Sequence, residues 1–183
     1  MINRRMVCAG LALAPLAKAA LAKNFPSGPV RMLVGLAPGG GADVVARLMG
    51  PHLALELGQP IVVENRPGAG GNVVTKYLAT EAKPDGQPIL MGTIAALAIN
   101  PGIYQYKLGF DPEKDLTPIT NAVDSCNILV VPRDSKLQSV KELVTAMKTA
   151  TLSCGSSGIG TAGHLAEVMF GMIIGTIDMA LKN

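Results

Sequence analysis

Short apolar runs alternate with glycine-rich turns and helix-spaced segments along this chain of 183 residues, and the alternation strongly constrains its fold. Val30–Leu36 is a continuous apolar run, typical of a strand buried on both faces. Repeated strand–turn–helix units predict an α/β protein with a mostly parallel sheet and binding loops at the carboxyl ends of the strands. The other predicted strands are Ile61–Glu64, Ile89–Met91, Ile128–Val131 and Leu152–Gly155.

The first predicted helix covers residues 42–57 and follows the glycine-rich turn after the first strand. Asp43 lies in its first turn, where a negative charge favours the helix dipole. Gly58 is placed to end the helix in a left-handed conformation. Pro51 interrupts the helical pattern and removes a backbone hydrogen bond, so we expect a kink or two shorter helices.

Three further helices are predicted from their start signals. Asn72 is expected to cap a helix that runs to about Ala82, and Ser139 with Glu142 forms a capping box for a helix that ends near residue 149. Another helix begins at about Ala162. Residues 84–86 form a turn, and residues 100–116 are expected to be an irregular connection because they carry several glycines and prolines.

The amino terminus has the pattern of an export signal. A short basic region precedes an apolar run at Val7–Ala17, and Ala20–Ala22 offers the small residues that a signal peptidase reads. We expect cleavage near Ala22, before Lys23, and a periplasmic location. Arg4 and Arg5 also permit twin-arginine export, and the alternative to a leader is a buried amphipathic first helix.

Charge and composition exclude some functions. The three basic residues of segment 1–22 account for the whole net charge of +3, so the remainder is neutral. With only three Tyr, three Phe and no Trp, the chain has neither the charge nor the stacking platforms that nucleic-acid binding requires. Two His and three Cys give no metal-ligand spacing, and we expect Cys126 and Cys154 to be buried and unpaired, although export would let them pair.

Three glycine-rich loops are the candidate functional segments: Pro38–Asp43, Gly68–Asn72 and Ser156–Thr161. Each follows a predicted strand and opens a predicted helix. Free backbone N–H groups at such a helix start, together with the helix dipole, can bind a carboxylate or a phosphate without a charged side chain. The structural alternative is that these glycines only provide tight left-handed turns.

Two enzyme motifs receive less support from the sequence. Gly158, Gly160 and Gly163, followed by Asp178, imitate a dinucleotide fingerprint, but no predicted strand delivers Asp178. No Walker sequence occurs, and Ser156 and Ser157 lack the surroundings of a nucleophile elbow. His164 is expected to pack or cap locally on its helix.

At these same loops the chain resembles the substrate-binding proteins of tripartite tricarboxylate transporters, the Bug receptor family. The most specific pieces are the ENRPGAGGN segment at residues 64–72 and the SSGIGT segment at residues 156–161. The ordered series of similar segments covers about Phe25 to Gly175: Phe25–Arg31, Ala37–Asp43 with Ala46-Arg47, Leu57–Asn72, Pro84–Gly86, Ile99–Pro101, Asp111–Asp115 and Ser156–Thr161 with His164-Leu165.

The resemblance implies a periplasmic-binding-protein-like (type II) architecture of two α/β lobes with mostly parallel sheets, which close over a small carboxylate. It implies no catalysis and no cofactor, and delivery of the ligand to the large and small permease subunits in the membrane. The ligand would be a di- or tricarboxylate, an amino acid or an aromatic acid. Family loops grip it mainly through backbone amides and water, which carries over here to Pro38, Gly39, Gly40, Gly41, Asp43, Ser156, Ser157, Gly158, Gly160 and Thr161, with Thr93 and Ala95 lining the cleft.

The resemblance also divides the chain. We expect a signal peptide at 1–22, a first α/β lobe at 23–123 and an incomplete second α/β lobe at 124–183. The match stops near Gly175, and residues 177–179 resemble a later piece of the family's second lobe. Our expectation is therefore an internal deletion after Thr176 that leaves the apolar segment Val168–Ile177 without its partner strands.

Three functions follow from the sequence. The first is a carboxylate-binding transport receptor, active or inactivated by truncation. The second is an exported chain that binds a protein partner or nothing at all. The third is a fragment of an NAD-binding enzyme built on Gly158–Gly163, which the export signal argues against.

Overall fold

The structure is a computed structural model that describes residues 25–104, 108–150 and 152–173. The predicted signal peptide at 1–22 and Asp178 lie outside these residues. Within the described ranges, no helix combines the length and the apolar character that a bilayer-spanning helix needs.

The sheet has three parallel strands in the order β2-β1-β3, with β1 at Val30–Val34, β2 at Ile61–Asn65 and β3 at Pro88–Met91. Val30 pairs with Ile61 on one side of β1, and Arg31 pairs with Pro88 on the other side. These strands confirm the first three strand predictions and the prediction of a parallel sheet.

The central strand β1 is buried because helices cover both of its faces. Its apolar side chains are almost fully covered at Val30, Met32, Leu33 and Val34. Met32 and Val34 form the core with Ala46, and the half-buried side chains that pack around them come from both neighbouring strands and the first helix: Ala42, Leu53, Ile61, Val63, Ile89 and Met91. Full burial of a large apolar side chain such as Met32, Leu33 or Val34 contributes roughly 1.5–3 kcal/mol to folding.

Helix α1 runs from Gly41 to Leu57 without a break, so the alternative of two shorter helices at Pro51 was wrong, and the alternative of a kink stays a prediction. The physical reason is the position of Pro51 on the exposed side of the helix, where water can satisfy the carbonyl that lost its partner. Gly50 lies on the buried side and faces Ile61. Gly58 ends the helix with φ of 65°, as predicted.

Helix α2 runs from Asn72 to Thr80, a little shorter than predicted. Gly71 is the residue that precedes its first turn, and no side chain caps it. Asn72 was therefore wrongly predicted as the cap, because its side-chain oxygen accepts a hydrogen bond from Asn100 at 2.9 Å instead. This hydrogen bond connects two elements that are distant in sequence.

The connection predicted to be irregular contains short helices. A π-helical turn at Ala95–Ile99 leads into α3 at Asn100–Tyr104, and α4 follows at Pro112–Asp115. Pro112 starts α4 because proline lacks only an N–H that would be unpaired in the first turn. The side chain of Asp111 accepts a hydrogen bond from the backbone N–H of Glu113 at 3.0 Å and so caps α4. This capped helix was not predicted from the sequence.

The two predicted strands of the second lobe do not form. Ile128–Val131 and residues 152–155 are irregular and exposed, with Ile128 76% and Val130 78% accessible. Cys126 and Cys154 are exposed as well, so the prediction that they are buried was wrong. A pair of isolated parallel strands is marginally stable at best, and the described part of the chain offers these segments no third strand.

The helices beside those segments are confirmed. Helix α5 covers Val140–Thr149, and Ser139 accepts a hydrogen bond from the backbone N–H of Glu142 at 3.2 Å, as the capping box requires. Helix α6 covers Ala162–Ile173 and starts where predicted. Helices form here and strands do not because helical hydrogen bonds are local and strand pairing is not.

A half-buried charged cluster joins the sheet to α2. Arg31 donates to both carboxylate oxygens of Glu64, at 2.6 and 2.8 Å, and so crosses from β1 to β2. Arg66 lies over the ring of Tyr77 on α2, with its guanidinium carbon 4.4 Å from the ring centre. The hydrogen bonds from Arg31 lower the pKa of Glu64 below its usual value.

The end of β1 approaches the start of α2 so closely that no side chain fits between them. A Cβ on Gly35 would lie 2.7 Å from the Cα of Gly71 and 3.0 Å from Cγ1 of Val74. Both obstacles belong to the packed interior, so neither can move freely. Glycine is therefore required at position 35 by backbone contact.

We predict that Gly35→Ala lowers the free energy of unfolding by about 1–3 kcal/mol, because a new methyl group must push two backbone segments apart. Urea denaturation followed by circular dichroism measures this change. Gly102→Ala is the matched control, since nothing lies within 4 Å of a Cβ at this helical position. Equal stability of the two variants would contradict the close packing of Gly35 on Gly71.

Candidate functional site

The sheet topology brings three loops to one edge. Because all three strands are parallel, the segments that follow β1, β2 and β3 leave the sheet on the same side. Gly71 lies where these segments meet: a Cβ there would be 3.8 Å from Oγ1 of Thr93 and 3.9 Å from the Cα of Gly35. The predicted loop 68–72 is thus a neighbour of Thr93 and of the end of β1.

Asp43 stabilises the first loop through hydrogen bonds from its own segment of the chain. The residue is only 2% exposed, and its Oδ2 accepts hydrogen bonds from the backbone N–H of Gly39 at 2.8 Å and from Nε of Arg47 at 3.0 Å. Nη2 of Arg47 also lies 2.9 Å from Oδ1. The hydrogen bond from Arg47, followed by that from Gly39, lowers the pKa of Asp43 to about 2.

Asn65 is a second brace of this loop, and sequence reasoning missed it as an individual residue. Its Nδ2 donates to the carbonyl oxygen of Leu36 at 3.1 Å, and its Oδ1 accepts from Nη2 of Arg47 at 2.9 Å. The end of β2 therefore holds the turn after β1. Its only signal in the sequence was membership of the ENRPGAGGN segment.

The start of α1 presents unpaired amides next to these braces. Gly40 donates its N–H to the carbonyl of Ala37 at 3.1 Å, and Val44 donates to the carbonyl of Gly40 at 3.0 Å. The intervening amides of Gly41 and Ala42 have no acceptor among the described residues, as is usual for a first helical turn. Pro38, Gly39 and Gly41 are exposed, so a ligand can reach this loop.

The third loop, Ser156–Thr161, is stiffened by Thr161. Oγ1 of Thr161 donates to the carbonyl of Gly158 at 2.6 Å and accepts from the N–H of His164 at 3.4 Å. The N–H of Gly160 lies 3.5 Å from Nδ1 of His164, so the local capping role predicted for His164 is confirmed. Ser156, Ser157 and Gly158 are exposed, whereas Gly160 and Thr161 are buried.

The second and third loops meet over Asn100. A Cβ on Gly70 would lie 3.2 Å from Nδ2 of Asn100 and 3.5 Å from the carbonyl oxygen of Ile159. A Cβ on Gly160 would collide with Oδ1 of the same Asn100 side chain. The structure thus brings the second and third predicted loops together, although they are distant in sequence.

The two predicted cleft residues have different positions. Thr93 is partly exposed, and its Oγ1 accepts a hydrogen bond from the N–H of Ala96 at 3.5 Å. Ala95 is only 3% exposed and packs in the interior. Their contact with a ligand stays a prediction, as it does for the loop residues themselves.

A cavity of about 630 Å³ lies away from these loops. It contains none of the predicted binding residues, and its lining includes Leu97, Pro101, Leu108, Phe110 and Glu113. Over the described residues, no three His, Cys, Asp or Glu side chains come together as the ligands of a metal ion would.

Solved structures with the same arrangement define the class of protein. "Structure of a periplasmic transporter" is 37% identical with a TM-score of 0.78, covering 82% of this chain and 51% of that one. The periplasmic binding protein BugD is 33% identical, with a TM-score of 0.69 and coverages of 84% and 51%. MatC from Rhodopseudomonas palustris with bound malate is 26% identical, with a TM-score of 0.71 and coverages of 84% and 52%. The fold is that of the periplasmic solute-binding proteins.

Sequence relatives identify the family. Residues 45–180 match the sequence model of a protein family, TctC, which is described as the tripartite tricarboxylate transporter family receptor. A UPF0065 protein of Pseudomonas sp. strain P51, from the tcbD-tcbE intergenic region, is 34% identical over 92% of this chain and 51% of its own length. BugT of Bordetella pertussis is 33% identical over 87% of this chain and 49% of its own length.

The chain belongs to the tripartite tricarboxylate transporter receptor family, as its motifs predicted. This is a family of receptors, and its relative BugD is a periplasmic binding protein. The chain spans about half the length of the curated relatives it matches. The dinucleotide motif loses support, because residues 152–155 before Gly158 form no strand.

We predict that Asp43→Asn destabilises the chain at pH 7 and that its difference from the unchanged chain shrinks as the pH falls from about 4 toward 2. The folded pKa of Asp43 is depressed from 3.8 to about 2, so ionised Asp43 stabilises the fold above its unfolded pKa. That contribution is lost as the carboxylate is protonated. Urea unfolding across this pH range measures both effects.

The control for this experiment is Asp134→Asn, which removes an exposed carboxylate from an irregular segment. Its stability should differ little from that of the unchanged chain at any of these pH values. An Asp43→Asn variant that behaved like Asp134→Asn would show that Asp43 does not brace the loop.

Proposed function

We propose that this chain is a periplasmic solute-binding receptor that captures a small carboxylate for a tripartite tricarboxylate transporter. One observation carries the proposal: in a member of this receptor family, two braced glycine loops lead into the starts of α1 and α6, with exposed residues in both loops. Since the chain spans about half of its relatives' length, the activity of the whole protein is part of the proposal.

The chemistry of the loops suits an anion. Unpaired amides at a helix start carry partial positive charge, and the helix dipole adds to it. At the first loop the ion pair with Arg47 compensates the charge of Asp43, so the carboxylate of Asp43 does not repel a ligand at full strength. We assign carboxylate contact at this loop to the amides of Gly41 and Ala42 and a bracing role to Asp43.

The third loop adds hydroxyl donors to its amides. Ser156 and Ser157 are exposed beside the start of α6, where each can donate a hydrogen bond to a ligand oxygen. Thr93 lies at the sheet edge, next to Gly71. We propose that these hydroxyls complete the binding surface with Gly158, Gly160 and Thr161, as the sequence resemblance predicted.

MatC was solved with bound malate, and we extend that ligand class to this chain as a proposal. We also propose export with cleavage before Lys23, residence in the periplasm and delivery of the ligand to the two permease subunits. Neither catalysis nor a cofactor is part of this function.

A second function is favoured by a different observation. The exposed apolar segment Ile128–Val131 could dispose the chain to bind another protein, with no small ligand. Binding of a carboxylate distinguishes the two functions, because only the receptor requires it.

We predict that a dicarboxylate such as malate raises the melting temperature of the purified full chain. Ligand that binds only the native state stabilises it by about 2.7 kcal/mol at a hundredfold excess over Kd. Malate, succinate, citrate, glutamate, aspartate and nicotinate are compared at millimolar concentration by thermal denaturation. The uncharged diamide of malic acid is the control, and no shift with any carboxylate would refute the receptor function.

We predict that Gly41→Pro weakens carboxylate binding by about tenfold or more, because proline removes one N–H donor worth roughly 1.5–3 kcal/mol to a charged acceptor. The fold should tolerate this change, since proline is favourable at the first helical position and Gly40, with φ of −71° and ψ of 162°, already has the extended conformation that precedes proline. Calorimetric titration with malate measures the affinity.

Gly41→Ala is the matched control for that substitution. It adds a side chain into open space and keeps the N–H group. Affinity equal to that of the unchanged chain is expected for Gly41→Ala alone, and equal affinities for both variants would remove the amide of Gly41 from the binding site.

A further inference from the structure

Asn100 occupies a position that neither the motifs nor the family assignment explains. It is completely buried at the start of α3, with 0% of its surface exposed. Its Nδ2 donates to Oδ1 of Asn72 at the start of α2, at 2.9 Å. Its Oδ1 is buried and has no hydrogen-bond partner in the described part of the chain.

Two glycines from different loops cover this amide. Gly70 approaches Nδ2, and Gly160 approaches Oδ1 so closely that a Cβ at position 160 would collide with it. Gly160 also has φ of 79°, which side-chain-bearing residues rarely adopt. The flat amide of Asn100 thus fills the space between the second and third loops and fixes their separation.

Internal hydrogen bonds make the third loop stiff, so the contact at Gly160 affects the position of the whole loop. Thr161 hydrogen-bonds to Gly158 through both its backbone N–H, at 3.2 Å, and its side-chain Oγ1, at 2.6 Å. Because the loop is closed on itself in this way, fixing Gly160 also fixes the residues that lead into α6. The first amides of α6 follow directly after Thr161.

We propose that Asn100 is a positioning residue for the ligand site: it holds the loop Ser156–Thr161 against the strand-end loops and does not touch the ligand. This inference rests on the proposed receptor function for its effect on affinity, but the effect on the loop itself is independent of any ligand. Asn72 takes part as the acceptor that orients the Asn100 amide.

The test combines affinity with a local readout. Malate affinity is measured by calorimetry for the unchanged full chain, Asn100→Ala, Gly160→Ala and the double variant. Asn100→Ala should weaken binding by about tenfold, because the loop loses the amide that supports it. The double variant should lose less malate affinity than the two single fold-losses multiplied together. The reason is that the shortened side chain at position 100 makes room for the new methyl group at position 160.

Ile89→Ala is the control for general loss of stability. Ile89 packs in the core between the sheet and α1, with Met32, Val34 and Ala46. It should lower the melting temperature and leave malate affinity within about twofold. If Asn100→Ala binds malate as well as the unchanged chain does, or if Ile89→Ala loses as much affinity, the positioning role is refuted.

Hydrogen exchange separates this proposal from the receptor function. Asn100→Ala should speed exchange of the amides in residues 156–163 and leave those of β2 protected, whereas Ile89→Ala should not single out the loop. If the unchanged chain binds malate too weakly to measure, the carboxylate that raises its melting temperature most replaces malate in the titrations. If none of the six carboxylates binds, the receptor function fails and the exchange pattern alone decides the role of Asn100. Should Asn100→Ala not fold, Asn100→Ser takes its place in both measurements.

Discussion

Burial of β1 between two parallel neighbours is the interaction on which the rest of the described structure depends. Its side chains fill the core on one face toward α1, and its backbone pairs with β2 and β3 on both edges. A parallel sheet aligns the strand ends, so the loops that follow all three strands emerge together. The position of the strand-end loops in the candidate site is therefore a consequence of strand direction.

Close backbone contacts turn this shared edge into a defined surface. A Cβ on Gly35 would collide with Gly71, and a Cβ on Gly160 would collide with Asn100. The absence of a side chain at positions 35 and 160 is therefore what allows these close contacts. The polar side chains nearby serve as braces: Asp43 closes the first loop on itself, and Asn65 ties it to β2. An exposed loop that is held from inside can present its amides without losing conformational entropy when a ligand arrives.

The sequence predicted those features whose causes are local. The end of α1 at Gly58 and the capping box at Ser139 depend on neighbouring residues. The strands β1 to β3 were predicted from their apolar runs, and they form because each run has a partner strand beside it. Ile128–Val131 was wrongly predicted because apolar character shows that a segment favours burial, without showing whether a partner strand lies beside it. Asn100 belongs to the similar segment Ile99–Pro101, but the sequence predicted no role for it, since its partner Asn72 is 28 residues away in the chain.

The buried carboxylate of Asp43 stabilises the conformation of the first loop, and other groups of that loop are left to contact a ligand. A negative side chain inside an anion-binding loop would oppose binding, but Arg47 compensates its charge, and the amides of Gly41 and Ala42 remain free among the described residues. In the proposed receptor function, recognition of the carboxylate then belongs to the backbone and to the helix dipole, which any small carboxylate can satisfy. Choice among carboxylates must come from side chains around the remainder of the ligand, and the hydroxyls of Thr93, Ser156 and Ser157 are the groups that this surface offers for it.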